Sequence, residues 1–190
     1  MAKCKTLLGF GVNDYDKTVK WKLSCGREFS LPEYSLWKGM ICRCYGKVNK
    51  SNESYLNTEV CDSWRSLKEF SKWFDEQPYE IGFVLDKDLL GDGNLYSKDT
   101  CCLLPKEVNG FMINNRKSRG YHVRGNIFEA CSSENSKYVY LGSFKNKEDA
   151  LKSYIDYKSA KAKSLAEKWK DKIDVRAYEA LMSYKIDTGD

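Results

Sequence analysis

The sequence lacks any long apolar segment, and this absence excludes a membrane-spanning helix. The longest apolar stretches, residues 7–12 and 81–85, are far shorter than the roughly 20 residues that a bilayer requires. The N-terminus lacks the apolar core of a secretory signal, so we expect a cytosolic protein. Histidine occurs only once, as His122, and one imidazole cannot complete the paired ligands of a structural zinc site.

The composition is that of a soluble globular protein. Of the 190 residues, 42% are apolar and 31% are charged, which argues against both disorder and a fibre. A compact chain of this length buries roughly 70% of the surface that its unfolded form exposes, so it can fold without disulfides.

Eight cysteines allow three interpretations, which are disulfides, zinc or buried small side chains. They are Cys4, Cys25, Cys42, Cys44, Cys61, Cys101, Cys102 and Cys131. Without an export signal a disulfide framework is not supported. Cys42 and Cys44 are too close for the usual zinc knuckle, and Cys101 and Cys102 are adjacent. We therefore favour buried small hydrophobes over zinc.

Positive charge is concentrated in the C-terminal third. Residues 116–170 hold 13 Lys and Arg against 6 Asp and Glu, a net charge of +7, whereas the remainder holds 19 against 21, a net charge of −2. A local positive excess attracts a polyanion, and a solvated lysine-rich helix face is the alternative explanation.

Periodicity predicts an α+β fold. Short strands and turns are expected over 1–34, and apolar stripes indicate helices over 35–48 and 63–76, the second capped by Asp62 or Ser63. We interpret both aromatic stripes as core. A strand at 83–85, a turn at 91–94, a strand at 100–104 and a helix at 106–114 follow.

The second half predicts a three-stranded antiparallel sheet that is backed by a helix. Its strands are expected at 121–124, 127–131 and 137–141. A helix after Asn146 should reach about residue 170, and a last helix should cover 175–184. The predicted organisation is an N-terminal segment 1–34, a domain at 35–115, a sheet domain at 116–162 and a helical tail at 163–190.

Residues 37–109 resemble phage-encoded HNH homing endonucleases. The motifs that carry the resemblance are Trp37-x-x-Met40-x-x-Arg43-Cys44-Tyr45, Val60-Cys61-x-x-Trp64 with Phe70 and Trp73, Leu85-Asp86-Lys87-Asp88, and Asn94-x-Tyr96-Ser97 with Cys101. The resemblance implies a ββα-metal core, in which a hairpin and a helix hold one divalent cation, Mg²⁺ or Mn²⁺.

The same resemblance implies catalytic positions. Asp86 matches the first metal ligand, Lys87 stands where related enzymes have their base histidine, and Thr100 stands where a ligand asparagine is expected. Asp88 could act as a ligand beside Asp86, because alternate residues of a strand share a face. The alternative interpretation of this segment is an ordinary turn rich in Asp and Gly.

Residues 120–161 resemble the ethylene-response-factor (APETALA-type) DNA-binding domain of plants. The motifs are Tyr140-Leu141-Gly142-Ser143-Phe144, Glu148-Asp149-Ala150 and Tyr154. The resemblance implies that the sheet lies in the major groove of duplex DNA. The expected contact residues are Arg116, Lys117, Arg119, Tyr121, His122, Arg124, Lys137 and Tyr138. Of the interleaved aromatics Tyr121, Phe128, Tyr138 and Tyr140, half should pack on the helix behind the sheet.

Three functions remain open at this point. The first is a metal-dependent DNA endonuclease or nickase. The second is a catalytically impaired DNA-binding protein that acts as a phage regulator or counter-defence factor. The third is an inhibitor that binds a host or phage protein through the same surface. We expect a monomer, phage-encoded and active in the bacterial cytoplasm.

Overall fold

The computed structural model describes residues 5–47, 53–115, 119–134 and 137–186. The chain forms two compact units, the first from Met1–Tyr79 with Phe83–Leu103, and the second from Glu80–Gly82 with Leu104–Asp190. The mixture of helices and small sheets confirms the α+β class. The units part after Leu103, whereas the sequence placed a domain boundary at 115/116.

Short strands and two helices build the first unit. Two antiparallel hairpins open it, as expected for 1–34. The strands and helices of this unit are β1 (Lys5–Leu7), β2 (Gly11–Asn13), β3 (Lys20–Lys22), β4 (Glu28–Ser30), α1 (Pro32–Tyr45), β5 (Glu59–Val60), α2 (Leu67–Asp75), β6 (Val84–Asp86), β7 (Leu95–Tyr96) and β8 (Cys102–Leu104). Strand β5 pairs in parallel with β7, and β6 pairs with β8.

Both helix starts differ from the prediction. Helix α1 begins at Pro32 rather than at residue 35, because proline suits the first turn of a helix. A 3₁₀ turn occupies Asp62–Arg65, and the hydroxyl of Ser66 accepts the backbone N–H of Glu69 at 3.1 Å. Ser66 is therefore the cap of α2, and the prediction of Asp62 or Ser63 was wrong.

The predicted aromatic stripes form the core of the first unit. The rings of Trp64, Phe70 and Trp73 lie 4.7–5.5 Å apart, and the indole N–H of Trp37 donates to the carbonyl of Trp64 at 2.8 Å. A Cβ on Gly11 would lie 2.7 Å from the Trp37 ring, so β2 approaches α1 closely. Their burial confirms that these aromatics are core.

The second unit contains the predicted sheet. Its elements are α3 (Lys106–Asn115), β9 (Tyr121–Arg124), β10 (Ile127–Glu134), β11 (Lys137–Phe144), α4 (Lys147–Trp169) and α5 (Val175–Met182). The three strands are antiparallel in the order β11-β10-β9. Strands β10 and β11 are longer than predicted, because Ser132 and Ser133 continue the ladder instead of starting a turn.

Helix α4 packs against one face of this sheet. Ala150, Tyr154 and Ala162 on α4 are fully buried. Gly120 has φ +75°, and a Cβ there would lie 2.5 Å from the Tyr154 ring, so only glycine fits this contact. Within the described residues, no helix combines the length and the apolar character that crossing a bilayer requires.

Candidate functional site

The carboxylate of Asp86, the predicted first metal ligand, shapes the loop that leaves β6. Asp86 is 3% exposed. Its Oδ1 accepts the backbone N–H groups of Asp88 at 3.0 Å and Leu89 at 2.8 Å. This is a local side-chain turn of the kind that aspartate favours. One carboxylate oxygen of Asp86, the predicted metal ligand, therefore already accepts hydrogen bonds from the backbone of this loop.

Lys87 and Asp88 form a buried ion pair. The ammonium of Lys87 lies 2.7 Å from Oδ1 of Asp88 and donates to the carbonyl of Gly93 at 2.5 Å. It also lies over the rings of Tyr55 and Tyr96, 5.2 and 5.8 Å from their centroids. Lys87 is only 5% exposed. Charge pairing and two aromatic faces together compensate for its removal from water.

A second cation completes this cluster. The guanidinium of Arg43 lies 5.6 Å from the centroids of both Tyr55 and Tyr96, and its Nε donates to the Tyr96 hydroxyl at 3.2 Å. Burial raises the pKa of Tyr96 far above its ordinary value, so its hydroxyl stays protonated. Burial also raises the pKa of the neighbouring Cys44 thiol to about 11. We name the set Arg43, Tyr55, Lys87, Asp88 and Tyr96 the cation cage.

Thr100, the predicted second ligand, lies close to the same loop but serves a turn. Its Oγ1 donates to the carbonyl of Leu95 at 2.7 Å and accepts the N–H of Ser97 at 3.1 Å. A Cβ on Gly91 would lie 3.0 Å from Cβ of Thr100 and 3.1 Å from the carbonyl oxygen of Lys87. The structure thus brings together the predicted positions, with their polar atoms in structural hydrogen bonds.

Two of the carboxylate oxygens that could bind a divalent cation already have partners. A magnesium ion needs several oxygen ligands in near-octahedral geometry. Here Oδ1 of Asp88 is bonded to the Lys87 ammonium, and Oδ1 of Asp86 accepts two backbone N–H groups. Among the described residues, no group of three or more His, Cys, Asp or Glu side chains is placed to hold a metal.

Most of the described cysteines are at least partly buried. Cys101, Cys102 and Cys131 are buried, which confirms the interpretation as small hydrophobes for these three. Burial raises the pKa of Cys101 to about 12, so this thiol stays neutral. Cys25 is exposed, and there the prediction was wrong. Cys4 lies outside the described residues.

A bulge decides which aromatics face away from α4. Ala130 pairs with Gly142 and Cys131 pairs with Tyr140, so Leu141 is an extra residue in β11. Gly142 has φ +138°. Residues in direct register share a face of the sheet, and the neighbours Ala130 and Cys131 point to opposite faces. Tyr140 therefore lies on the face opposite to Gly142, whereas two residues that are two positions apart in a regular strand would share a face.

The two exposed tyrosines lie on the open face of the sheet. Tyr138 and Tyr140 are 60% and 56% exposed, opposite Ser133 and Cys131. Glu134, on the other face, accepts a hydrogen bond from Tyr157 of α4 at 2.6 Å. This arrangement confirms the expectation that half of the interleaved aromatics lie on the helix side.

One predicted contact residue, Tyr121, lies on the helix side of the sheet. Tyr121, which pairs with the buried Ala130, is half-buried, and its ring lies 5.6 Å from that of Phe128. Tyr121 therefore faces α4 rather than the side of the sheet that carries Tyr138 and Tyr140.

The open face carries a cation as well. His122 and Arg124 alternate with Tyr121 and Val123 on β9, and His122 pairs with Glu129. The side chain of Arg124 is 82% exposed, and its Nη1 lies 3.6 Å from Oε1 of Glu129. Because an exposed ion pair is weak, the guanidinium of Arg124 can leave Glu129 and bind a phosphate instead.

The remaining predicted contact residues are distributed differently. Lys137 is exposed but pairs with Glu134, which places it towards the helix side of the sheet. Arg119 is exposed just before β9. Arg116 and Lys117 lie outside the described residues. We name His122, Arg124, Tyr138 and Tyr140 the open sheet face.

Sequence reasoning missed the role of three residues in the cation cage. Arg43 and Tyr96 were only parts of a motif, and Tyr55 belonged to none. No periodic signal could have identified them, because they come from three separate parts of the chain. Comparisons of this chain with protein-family models, with curated proteins and with solved structures found no match.

Proposed function

We propose that this protein binds duplex DNA through the open sheet face. One observation carries the proposal: the bulge at Leu141 turns Tyr138 and Tyr140 to the same face as Arg124. Strands of a β-ribbon or β-sheet can enter the major groove of DNA, where arginine reads guanine or contacts phosphate. The net charge of +7 over residues 116–170 favours a polyanion.

The resemblance to the APETALA-type domain supports the same proposal. That domain orders three antiparallel strands and then a helix, as β9, β10, β11 and α4 are ordered here. The resemblance adds the expectation that the open face, rather than α4, contacts the DNA. Affinity should fall steeply with salt, since phosphate contacts release counterions.

A matched pair of variants tests this surface. Arg124→Ala and Lys137→Ala each remove one exposed positive charge, but from opposite sides of the sheet. Binding to a fluorescein-labelled, mixed-sequence duplex is measured by anisotropy over a series of salt concentrations. We expect Arg124→Ala to weaken binding about tenfold and to reduce the salt slope by about one.

Lys137→Ala is the matched control. We expect it to change the affinity for the duplex by less than Arg124→Ala does. Equal losses in the two variants would show that only net charge matters, and no loss in either would place the DNA surface elsewhere. Tyr138→Ser, which removes an exposed ring without a change of charge, should weaken binding with the salt slope unchanged.

Metal-dependent cleavage is the second candidate function. Strands β6 and β8 pair with each other, as the two strands of a ββα-metal core do, and Asp86 lies at the end of β6. Because one carboxylate oxygen of Asp86 and one of Asp88 already have partners, we place DNA binding without cleavage first, as a regulator or counter-defence factor.

A plasmid assay separates the two functions. Supercoiled plasmid is incubated with the protein and Mg²⁺ or Mn²⁺. Asp86→Asn is the sharper variant than Asp86→Ala, because the amide oxygen can still accept the N–H groups of Asp88 and Leu89. Nicking that this variant abolishes would establish cleavage. Intact plasmid with both proteins, together with duplex binding, would establish a binding protein.

A further inference from the structure

The hairpin of β3 and β4 buries none of its side chains. Every residue from 20 to 29 is exposed, and so are residues 16–18. Gly26, with φ +82°, forms the turn between the strands. An isolated two-stranded hairpin is marginally stable in water. Its side chains therefore contribute little to the core of the first unit and remain available to a ligand.

One face of this hairpin is apolar and aromatic. Trp21 pairs directly with Phe29 across the strands, and Leu23 follows on the same face because alternate residues share a side. The three side chains are 44%, 62% and 48% exposed. Contiguous exposed apolar groups on a soluble protein are typical of a binding surface.

The same hairpin carries the positive charge of the first unit. Residues 17–30 hold four cations, Lys17, Lys20, Lys22 and Arg27, against Glu28, a net charge of +3. The whole first unit holds 15 Lys and Arg against 14 Asp and Glu, a net charge of +1. The rest of that unit is therefore at −2, so its positive charge is concentrated on the hairpin. Arg27 lies two residues before Phe29 and shares its face, whereas Lys20 and Lys22 take the opposite face, where Lys20 lies 3.7 Å from Glu28.

We propose that the β3–β4 hairpin binds single-stranded nucleic acid. Exposed aromatic rings stack with unpaired bases, and neighbouring lysine and arginine side chains follow the phosphate backbone. A duplex offers no such stacking, because its bases already cover one another. Trp21 and Phe29 supply two ring faces, which accommodate about two bases. This site lies in the first unit and does not depend on the open sheet face of the second.

A stacking assay tests the proposal with the full-length chain. A fluorescein-labelled oligo-dT is titrated with the protein, and binding is measured by anisotropy at low salt. We expect Trp21→Ala and Phe29→Ala each to weaken binding about tenfold, and Trp21→Phe to retain most of it. The matched control is Leu56→Ala, which removes an apolar side chain that is 58% exposed elsewhere in the same unit.

Fluorescence of Trp21 gives an independent measurement. The emission of the protein minus that of Trp21→Phe isolates this indole, and we expect oligo-dT to quench it on stacking. Circular dichroism of each variant checks that folding is retained. The proposal would be overturned if Trp21→Ala and Phe29→Ala weakened oligo-dT binding no more than Leu56→Ala does. It would also be overturned if the protein bound phosphatidylserine vesicles in place of oligo-dT.

The two proposals fail separately. Arg124→Ala should leave oligo-dT binding unchanged while it weakens duplex binding. Trp21→Ala should do the reverse. If Arg124→Ala alone removes binding to both ligands, the hairpin has no role and this inference is wrong.

Discussion

Replacing Lys87 by methionine tests the cation cage most directly. Methionine keeps an unbranched apolar stem of similar length and removes the ammonium with its two hydrogen bonds, to Asp88 and to the carbonyl of Gly93. The side chains of Lys87 and Asp88 are 6% and 14% exposed, so water compensates poorly for the loss.

The expected cost follows from this burial. Breaking a buried ion pair by removal of one partner destabilises a protein by about 3–5 kcal/mol, because the other charge stays buried. We expect the lower end, about 3 kcal/mol, since Asp88 retains some contact with water. Adding Asp88→Asn, which removes the stranded charge, should restore about half of this loss or more.

Urea unfolding followed by tryptophan fluorescence measures the effect in the first unit, which contains Lys87. Four of the five tryptophans, Trp21, Trp37, Trp64 and Trp73, lie in the first unit, and Trp169 lies in the second. The urea midpoint should fall with the slope unchanged. A loss below about 1 kcal/mol, the size of an exposed pair, would refute the reasoning. So would a double variant that is no more stable than Lys87→Met.

Three further predictions concern local features. Gly120→Ala should destabilise the second unit by about 2 kcal/mol or more, because a positive φ and a contact with Tyr154 both disfavour a Cβ; the urea midpoint seen by Trp169 measures this. Ser66→Ala should cost the first unit about 1 kcal/mol or more, since the N–H of Glu69 loses its cap and the carboxylate of Asp14 loses a donor, whereas Ser66→Thr keeps the hydroxyl and should retain most of the stability. Burial raises the pKa of Glu107, but hydrogen bonds from two side chains of α4 outweigh it and hold the pKa below the ordinary 4.5. A lowered pKa stabilises the fold above 4.5, so this contribution should disappear as the pH falls below that value, and Glu107→Gln should flatten the dependence of the midpoint on pH.

Each of these has a result that contradicts it. Unchanged stability in Gly120→Ala would mean that the backbone around residue 120 relaxes freely. Equal losses in Ser66→Ala and Ser66→Thr would show that the hydroxyl of Ser66 does not cap α2. A pH dependence that Glu107→Gln leaves unaltered would assign the acid sensitivity to other carboxylates.

The helices and the sheet strands could be predicted because their signals are local. The stripe of Trp37, Met40 and Ile41 marks α1, and the alternation around Tyr121 marks β9. The cap of α2 could not be predicted, because Asp62, Ser63 and Ser66 are all suitable residues. Only the backbone conformation, extended at Ser66, selects one of them.

The orientation of the tyrosines depends on strand register. Alternation alone predicts that two of the four aromatics face away from α4. Which two is decided by the extra residue in β11, which reverses the side that Tyr140 takes relative to Gly142. A bulge leaves no periodic signal in the sequence, since it exists only as a mismatch between two strands.

The sequence by itself determined the α+β class, the positions of the main helices and strands, and the concentration of positive charge in the second half, because each depends on residues near one another in the chain. Only the tertiary structure decided the state of the predicted metal site. Lys87 meets Arg43, Tyr55 and Tyr96 from distant segments, and their rings and the carboxylate of Asp88 hold its ammonium among them. Burial and long-range contacts fix what a charged side chain does, and neither is written in its immediate neighbours.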